Sequence, residues 1–403
     1  MFLRDVVRVV PFYRERLGAT PDDALSLSAF PIVRRSQLVE TPEQFLIPAS
    51  ESETRSITPT NGTIGSPLAV HFDAVGWHDL NYGTYAVLAE VYPDLLSRMT
   101  PRADGVFLVN NNPWSAEISV YVPPLQLAVL RQLVLGRSAD KDAALVAQLR
   151  ASPVPLLYGK ASNLVTLAGL DAAADGDRIR PGAILVSGEA LYDDQRQTLE
   201  RWFGCPVINA YIATEGGLIA LECPHKTGMH VCEDRVRLEV LTRDAGICPT
   251  GTGQVLLTNL MNRGHVFIRY LLGDEVELTR GACPCGFEGT TVTALHGRES
   301  KHLVLPDGPV AATTFEQFLL GLPLKEFQLY QVDGAPPWLK WVPAQPDAES
   351  LAAIAQGIDD WLRARGWADA VASIPLGRIT PPGGKHRRCV RVERVEPAAP
   401  VAP

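Results

Sequence analysis

The chain has 403 residues, of which 46% are hydrophobic and 20% are charged. This length is long for one domain and short for three, so two domains are expected. Lys and Arg number 37 against 45 Asp and Glu, for a net charge of −8. Nucleic-acid-binding proteins usually present a basic face, so the acidic balance argues against that class and against a nucleic-acid partner.

The sequence has no apolar stretch of about twenty residues, which a membrane-spanning helix requires. Its first residues carry charges within the apolar run and lack a signal-peptide core. Seven cysteines are present, an odd number that is typical of reduced thiols or metal ligands rather than a disulfide framework. A cytoplasmic protein with no membrane partner is the expectation.

The first fifty residues are predicted to be helical. Apolar residues fall on one helical face before Pro11, namely Leu3, Val6, Val7 and Val10. Residues 64–300 then alternate short β-branched runs with amphipathic stretches. The strand candidates are 105–109, 183–186, 207–209 and 254–259. Strands separated by helices predict an α/β layered core.

A helix is predicted over residues 193–203. Asp193 or Asp194 can cap its start, and Gly204 is suited to end it.

The pattern changes near residue 300. A helix is predicted over 348–365, and two short strands over 371–374 and 389–392. The fold class predicted is therefore α/β, with a large multi-layered N-terminal domain over residues 1–300. A small, mobile α+β domain is predicted over 301–396, followed by an Ala/Pro-rich disordered tail over 397–403.

Four segments carry candidate chemistry. Residues 58–67 (TPTNGTIGSP) combine glycines with small hydroxyl residues, so backbone N–H groups could turn toward an anion. No Gly-Lys-Ser/Thr follows, as a Walker loop would require, and a plain surface turn is the alternative.

The other three segments lie after or beside predicted strands, where α/β sheets hold ligands. They are 187–191 (SGEAL), 211–217 (YIATEGG) and 259–274, which ends in IRYLLGD. Asp274 could accept two hydrogen bonds from a ribose diol, although Gly-Asp pairs more often form turns. The alternative for Glu215 is a solvated loop acid.

Taken in order, these segments resemble the motifs of the adenylate-forming ligases, and most of all those of phenylacetate–CoA ligases and similar aryl-acid ligases. Gly297-Arg298 and a late Gly384-Lys385 complete the set. Segments 10–16, 218–234 and 253–274 are similar to that family as well.

The resemblance implies binding of ATP and Mg²⁺. Thr60 to Gly65 would hold the β- and γ-phosphates, Tyr211 would pack on the adenine, and Asp274 would bind the ribose hydroxyls. The implied nucleotide-binding residues are Thr60, Asn61, Gly62, Thr63, Gly65, Gly188, Glu189, Ala190, Tyr211, Asp274 and Arg298. The implied catalytic residues are Thr214 at the α-phosphate, Glu215 at Mg²⁺, and Lys385 between the carboxylate and the α-phosphate.

Alternatives to this interpretation stay open, of which the weakened phosphate loop favours a non-catalytic homologue, whereas Lys385 and Glu215 oppose it. Lys385 lies in a basic stretch that, without the resemblance, would be a solvated turn. Ser66 stands where the family's phosphate loop usually ends in lysine, and Leu271-Leu272 replaces Arg-Thr before the Gly-Asp pair. A non-catalytic nucleotide-binding homologue is therefore the rival from another class.

The substrate implied by the resemblance is a small aryl carboxylic acid, in a pocket with mostly apolar walls. The candidate pocket residues are Trp114, Tyr121, Ser187, Asn209 and Ala210. Asn209, Ser187 or Asn112 could hydrogen-bond a ring hydroxyl or amine. Coenzyme A is the first acceptor by resemblance, while a carrier-protein thiol, an amine or a hydroxyl stays open. The resemblance also implies a homodimer as the oligomeric state.

A metal site is predicted at Cys223, His230, Cys283 and Cys285. Three thiolates and one imidazole suit a closed, structural Zn²⁺ site, and the related aryl ligases show a similar arrangement. Cys232 and His225 are rival ligands, and four ordinary reduced residues are the alternative.

Overall fold

A computed structural model describes the protein over residues 2–47, 56–60, 68–96, 103–110, 118–122, 128–136, 138–242, 244–298, 302–332, 334–379 and 389–392. The chain divides into two compact units, Met1–Leu295 and His296–Pro403. The larger unit is rich in sheet and the smaller is α+β, so the predicted mixed α/β fold class is confirmed. Within the described ranges, no helix combines the length and apolarity that a membrane crossing needs.

The helices, in chain order, are α1 (Phe2–Val9), α2 (Pro11–Leu17), α3 (Arg35–Glu40), α4 (Ala74–His78), α5 (Thr84–Val91), α6 (Pro93–Leu96), α7 (Ala139–Ala151), α8 (Ala161–Ala173), α9 (Asp193–Phe203), α10 (Ala312–Leu319) and α11 (Ala348–Arg363). Two 3₁₀ turns (Leu27–Ala29 and Pro42–Phe45) and one π-helical turn (Asp79–Gly83) accompany them.

The strands are β1 (Ser56–Pro59), β2 (Ala69–Phe72), β3 (Ala103–Asn110), β4 (Ile118–Val122), β5 (Ala128–Val134), β6 (Val154–Gly159), β7 (Pro181–Val186), β8 (Val207–Ala213), β9 (Gly217–Glu222), β10 (Met229–Val231), β11 (Val236–Thr242), β12 (Gly246–Cys248), β13 (Gly251–Asn259), β14 (Tyr270–Ala282), β15 (Glu288–Arg298), β16 (His302–Leu305), β17 (Gly308–Ala311), β18 (Leu324–Val332), β19 (Trp338–Pro343), β20 (Ala372–Pro375) and β21 (Cys389–Val392).

Thirteen of these strands form one sheet in the order β12-β11-β13-β14-β15-β10-β9-β8-β7-β6-β3-β5-β4. Strands β5, β3, β6, β7 and β8 are parallel neighbours. Helices α7, α8 and α9 connect β5, β6, β7 and β8 in turn, as parallel pairing requires. The predicted alternation of strands and helices is confirmed here, and the carboxyl ends of these strands share one edge.

The rest of the large sheet is antiparallel. Strands β8, β9, β10 and β15 pair in this way, and so do β11, β13 and β14. The predicted alternation with helices does not extend here, because the described residues between 217 and 298 contain no helix. Amphipathic stretches in this segment have a period of two: Val236, Leu238 and Val240 are buried, with exposed Arg237 between them.

The helix predicted over 193–203 is α9, and Gly204 ends it in the left-handed conformation at φ 65°. The N-cap residue is Tyr192, one position before Asp193, the first of the two predicted caps. Asp193 and Asp194 instead lie in the first turn, where carboxylates interact favourably with the helix dipole.

Each face of the parallel strands is covered. On one face Phe107, Leu157 and Ile184 pack with residues of α7, α8 and α9. On the other face Leu156 and Leu185 pack with residues of α5. We call this second side the α5 face.

The N-terminal helices belong to the core of the antiparallel half, in which Val6, Val10 and Tyr13 are buried. The predicted helical opening is confirmed in α1 and α2. Arg269 links the segment at residues 28–30 to the sheet. Its guanidinium donates hydrogen bonds to both carboxylate oxygens of Glu239 and to the carbonyls of Ser28 and Phe30.

The smaller unit has a four-stranded sheet in the order β20-β19-β18-β21 and a β16-β17 hairpin. Its helix α11 ends two residues before the predicted end, and the predicted strand 389–392 is β21. Leu329, Trp341 and Ile358 lie in a core of this unit's own.

Candidate active site

The segment after β7 follows the shared carboxyl edge of the parallel strands. The Ser187 N–H continues the pairing by donating to the Gly159 carbonyl at 3.2 Å. Gly188 then turns the chain with φ 80°, a conformation that L side chains rarely adopt. Glu189 accepts a hydrogen bond from the backbone N–H of Ser162 at 3.2 Å, at the start of α8. The loop that contains the implied nucleotide-binding residues Gly188 and Glu189 is thus hydrogen-bonded to the neighbouring crossover.

Lys160 lies beside this loop, between β6 and α8. If Gly188 carried a Cβ atom, that atom would lie 3.8 Å from the Lys160 Cγ, so the lysine side chain runs close to the loop. Burial lowers the pKa of Lys160 below its ordinary value, and the nearby Glu189 carboxylate offsets only part of this shift. The sequence did not mark this lysine, because no motif contains it.

The segment that contains Tyr211 and Glu215 meets strand β14, although 63 residues separate Tyr211 from Asp274. The Tyr211 hydroxyl on β8 donates to Asp274 Oδ2 on β14 at 2.8 Å. Glu215, in the turn after β8, is only 3% exposed. Its backbone carbonyl accepts from the Asn259 side chain at 2.8 Å, and its Oε1 accepts from the Tyr270 hydroxyl at 3.5 Å. Thr214 precedes it in the same turn.

Tyr270 and Asn259 were not predicted as site residues. A signal for Tyr270 exists in the sequence, because residues 270, 272 and 274 of a strand point to one face. Tyr270 therefore lies on the same face as Asp274; Asp274 contacts Tyr211 on β8, and Tyr270 contacts Glu215 in the turn that follows. Asn259 ends β13, and its role depends on sheet pairing that a local pattern does not contain.

Thr60 closes the β1–β2 hairpin. Its N–H donates to the Leu68 carbonyl at 2.8 Å, and its Oγ1 accepts from the Leu68 N–H at 3.1 Å. The Arg35 guanidinium also donates to this oxygen at 3.2 Å. The remaining predicted phosphate-loop residues lie outside the described residues: Asn61, Gly62, Thr63 and Gly65.

The predicted acyl-pocket residues do not all lie on one face of the sheet. Ser187 is buried and contacts the Tyr158 hydroxyl, and Ala210 lies on the α5 face. Asn209 precedes Ala210, so strand alternation directs its side chain to the opposite face; its N–H donates to Glu222 Oε2 at 3.0 Å.

Four further predicted positions are only partly described or not described. Tyr121 lies in β4 and Arg298 ends β15, with the backbone alone described. Trp114 and Lys385 lie outside the described residues.

The four predicted metal ligands form a cluster in which the ligand atoms all lie within 4.8 Å of one another: Cys223, His230, Cys283 and Cys285. Cys223 and Cys283 Sγ are 3.6 Å apart, and Cys285 Sγ is 3.9 Å from His230 Nδ1. Tetrahedral coordination with Zn–S bonds of about 2.3 Å separates two sulfurs by about 3.8 Å. The donor set and its spacing therefore fit zinc.

The cluster joins two turns of the antiparallel sheet. Cys223 follows β9, and the Cys283–Cys285 turn connects β14 to β15. His230 on β10 pairs with Thr291 on β15, and its ring stacks on Phe287 at 4.0 Å. Burial lowers the pKa of His230, which favours the neutral, metal-binding imidazole. His225 contributes only a backbone N–H to Cys223 Sγ, at 3.2 Å.

Comparison with solved structures shows the class to which this fold belongs: the chain has the fold of adenylate-forming acid–CoA ligases. Structures of such enzymes superimpose on most of its length, at sequence identities that show the fold alone. Neither the protein-family models nor the curated proteins give a match.

One similar structure is 2-hydroxyisobutyryl-CoA ligase in its postadenylation state with R3-HIB-AMP. It matches with a TM-score of 0.73 at 16% identity, covering 97% of this chain and 87% of that one. The anthranilate CoA ligase AuaEII with anthranoyl-AMP matches with a TM-score of 0.52 at 13% identity, covering 83% and 64%. ATP-bound MatB from Rhodopseudomonas palustris matches with a TM-score of 0.51 at 15% identity, covering 82% and 65%.

Proposed function

We propose that the protein activates a small carboxylic acid, preferably an aromatic one, by forming its acyl-adenylate from ATP and then transfers the acyl group to coenzyme A. The observation that supports the proposal is the hydrogen bond between Tyr211 and Asp274, with the buried Glu215 bonded to Tyr270 of the same strand β14, in a fold shared with acid–CoA ligases.

In the first step, a carboxylate oxygen of the acid attacks the α-phosphorus of ATP. The P–O bond to pyrophosphate breaks, and pyrophosphate leaves with its electron pair. Two anions approach each other in this step, so fixed positive charge lowers the barrier. Asp274 would accept hydrogen bonds from the ribose hydroxyls, oriented by Tyr211. Thr214 would donate to the α-phosphate, and Lys385 would bridge the phosphate and the carboxylate.

Glu215 would hold Mg²⁺, and its surroundings fit that role. The carboxylate is buried, and Asn259 and Tyr270 fix its backbone and side chain by hydrogen bonds. Bound Mg²⁺ would neutralise charge on the phosphate oxygens.

In the second step, the coenzyme A thiol attacks the acyl carbonyl and loses its proton. The C–O bond to AMP breaks, and AMP leaves. The support for this acceptor is that the 2-hydroxyisobutyryl-CoA ligase has been crystallised with an acyl adenylate and CoA in its thioesterification state.

ATP–pyrophosphate exchange with a panel of benzoates, arylacetates and short aliphatic acids tests the proposal. At least one acid should stimulate exchange, and Lys385→Ala should reduce it by about a hundredfold or more. Arg387→Ala, two residues away in the same basic stretch, is the matched control and should retain exchange. A panel without any exchange would reject adenylation, and full activity in Lys385→Ala would reject the assigned role of that lysine.

We also propose that Cys223, His230, Cys283 and Cys285 hold a structural Zn²⁺. Four protein ligands complete a tetrahedral coordination shell and leave no position for water, so the metal would stabilise the two turns rather than take part in catalysis. The support is the close grouping of the four ligand atoms described above.

A further inference from the structure

A cleft of about 380 Å³ opens on the antiparallel half of the large sheet. Two arginines line it, Arg237 on β11 and Arg280 on β14, together with Glu233 and Thr290. Small-molecule sites typically have volumes of about 300–1,000 Å³, so the cleft is large enough for a ligand. The residues that line it are distinct from those proposed for the nucleotide, the acid and the metal.

Both arginines approach the same carboxylate oxygen. Arg280 Nη1 donates to Glu233 Oε1 at 3.0 Å, and Arg237 Nη1 lies 3.8 Å from that oxygen. The Thr290 hydroxyl also donates to it, at 2.8 Å. Since a single carboxylate balances only one of the two guanidinium charges, one positive charge remains in excess.

The second carboxylate in the cleft does not balance that charge. Both oxygens of Glu239 accept hydrogen bonds from the guanidinium of Arg269, which is only 6% exposed. This pair is neutral as a unit, so the charged groups at the cleft sum to one positive charge. The cleft is therefore locally positive although the whole chain carries a net charge of −8.

The arginines keep most of their hydrogen-bond donors available for a ligand. A guanidinium carries five N–H donors. Toward the part of the chain that the structure describes, Arg280 uses Nη1 alone and Arg237 makes only its 3.8 Å contact. The two side chains are 63% and 50% exposed, respectively. Guanidinium groups bind phosphate through paired hydrogen bonds, and two of them can share the three terminal oxygens of one phosphate ester.

Apolar surface adjoins the charged part of the cleft. Leu27, in the first 3₁₀ turn, and Pro249, which follows β12, both line it and are at least partly exposed to solvent. An organic group attached to a phosphate would remove this surface from water, which is favourable. The cleft therefore suits a phosphate ester better than inorganic phosphate.

We propose that this cleft binds a small organic phosphate, whose phosphate group is held by Arg237 and Arg280 and whose organic group contacts Leu27 and Pro249. The proposal goes beyond the activation of an acid, because it assigns a second ligand site to a different part of the large sheet.

Isothermal titration calorimetry of the full chain with phenyl phosphate tests the proposal. We expect a Kd of about a millimolar or tighter, and weaker binding of inorganic phosphate, which lacks the ring. Arg237→Gln and Arg280→Gln should each weaken phenyl phosphate binding about tenfold, since each removes charge-assisted hydrogen bonds. Arg4→Gln is the matched control, because Arg4 is also half exposed and paired with an acid, Asp22, at 3.3 Å; its affinity should equal that of the wild type.

Glu233→Gln gives a test of opposite sign. This variant removes the carboxylate that competes for both arginines, so phenyl phosphate should bind severalfold more tightly. Weaker binding in Glu233→Gln would overturn the inference. So would an affinity unchanged in both arginine variants, as expected if the phosphate bound at the proposed nucleotide site.

Benzoate distinguishes a phosphate ligand from a carboxylate ligand. It has the ring of phenyl phosphate but only two anionic oxygens, and its binding should not depend on Arg237 or Arg280. Arginine-dependent binding of benzoate as tight as that of phenyl phosphate would overturn the choice of phosphate. None of these measurements requires exchange activity, so failure of this site and failure of the proposed acid activation are separate results.

Discussion

The Tyr211 hydroxyl lies 2.8 Å from Asp274 Oδ2, and 63 residues of sequence separate the two. One is on β8 at the end of the parallel strands, and the other is on β14 in the antiparallel half. The hydrogen bond therefore fixes a carboxylate of one half of the sheet against an aromatic ring of the other. In the proposed ligase, this pair would orient both the ribose and the adenine.

Replacement of this carboxylate should weaken ATP binding. We expect Asp274→Ala to raise the KM for ATP at least about tenfold, because hydrogen bonds to a charged group contribute about 1.5–3 kcal/mol. Tyr211→Phe should have a smaller effect, since it leaves the carboxylate in place. Steady-state exchange at varied ATP measures both. Glu277→Gln is the control, an exposed carboxylate on the same strand; an equal rise in KM there would contradict the assignment.

Glu215→Gln should change the Mg²⁺ dependence of exchange while the protein remains folded. The amide has the shape of the carboxylate but no charge to bind the ion, so the Mg²⁺ concentration for half-maximal activity should rise by about an order of magnitude. Titration of Mg²⁺ at saturating ATP measures this.

Glu222→Gln provides the comparison, because Glu222 is also buried but pairs with Arg196 at 2.6 Å. This variant should lower the melting temperature and leave the Mg²⁺ dependence unchanged. The same shift in Mg²⁺ dependence in both variants would mean that Glu215 acts through general packing.

The sequence allowed predictions where the residues concerned lie close together in the chain. The turn after β8 and the Gly-Asp pair of β14 were singled out from the order of short motifs; the hydrogen bond from Tyr211 on β8 to Asp274 is observed, and the roles of these residues stay predictions. Helix α9 was predicted with the correct bounds because its apolar spacing and its terminal glycine agree.

Contacts across the sheet could not be predicted in this way. The Tyr158–Ser187 pair depends on the register of two parallel strands joined by a helical crossover, and no local pattern encodes that register. The prediction that helices alternate with strands was wrong between residues 217 and 298 for a related reason. An amphipathic strand buries every second residue, and an amphipathic helix buries one residue in every three or four. Short apolar runs do not distinguish these two periods.

Loss of one metal ligand should remove zinc and destabilise the larger unit. Purified without chelator, the protein should contain about one equivalent of zinc, and Cys283→Ser should contain less than about a tenth. Its melting temperature should fall, because metal binding contributes directly to folding. Elemental analysis and thermal unfolding measure the two effects.

Cys248→Ser is the matched control for this experiment. Cys248 is a free cysteine of intermediate burial that lies outside the cluster, so zinc content should be unchanged. A wild-type protein with less than a tenth of an equivalent of zinc would remove the proposed metal site.

The Arg269–Glu239 pair should be a main determinant of stability rather than of activity. Arg269 is 6% exposed and has a positive φ of 49°, a conformation that costs free energy in a non-glycine residue. Its guanidinium makes two hydrogen bonds to Glu239 and two to the carbonyls of Ser28 and Phe30. These contacts hold residues 28–30 against the sheet.

Removing one member of this pair leaves the other charge without its partner, which costs about 3 kcal/mol. We therefore expect Arg269→Met and Glu239→Met each to lower the urea midpoint of unfolding, with the larger loss in Arg269→Met because two carbonyls also lose their donor. In the double variant neither charge remains, so its loss should be smaller than the sum of the single losses. Strict additivity would show that the two side chains act independently, and an unchanged midpoint in Arg269→Met would show that the segment at residues 28–30 is held by apolar packing alone.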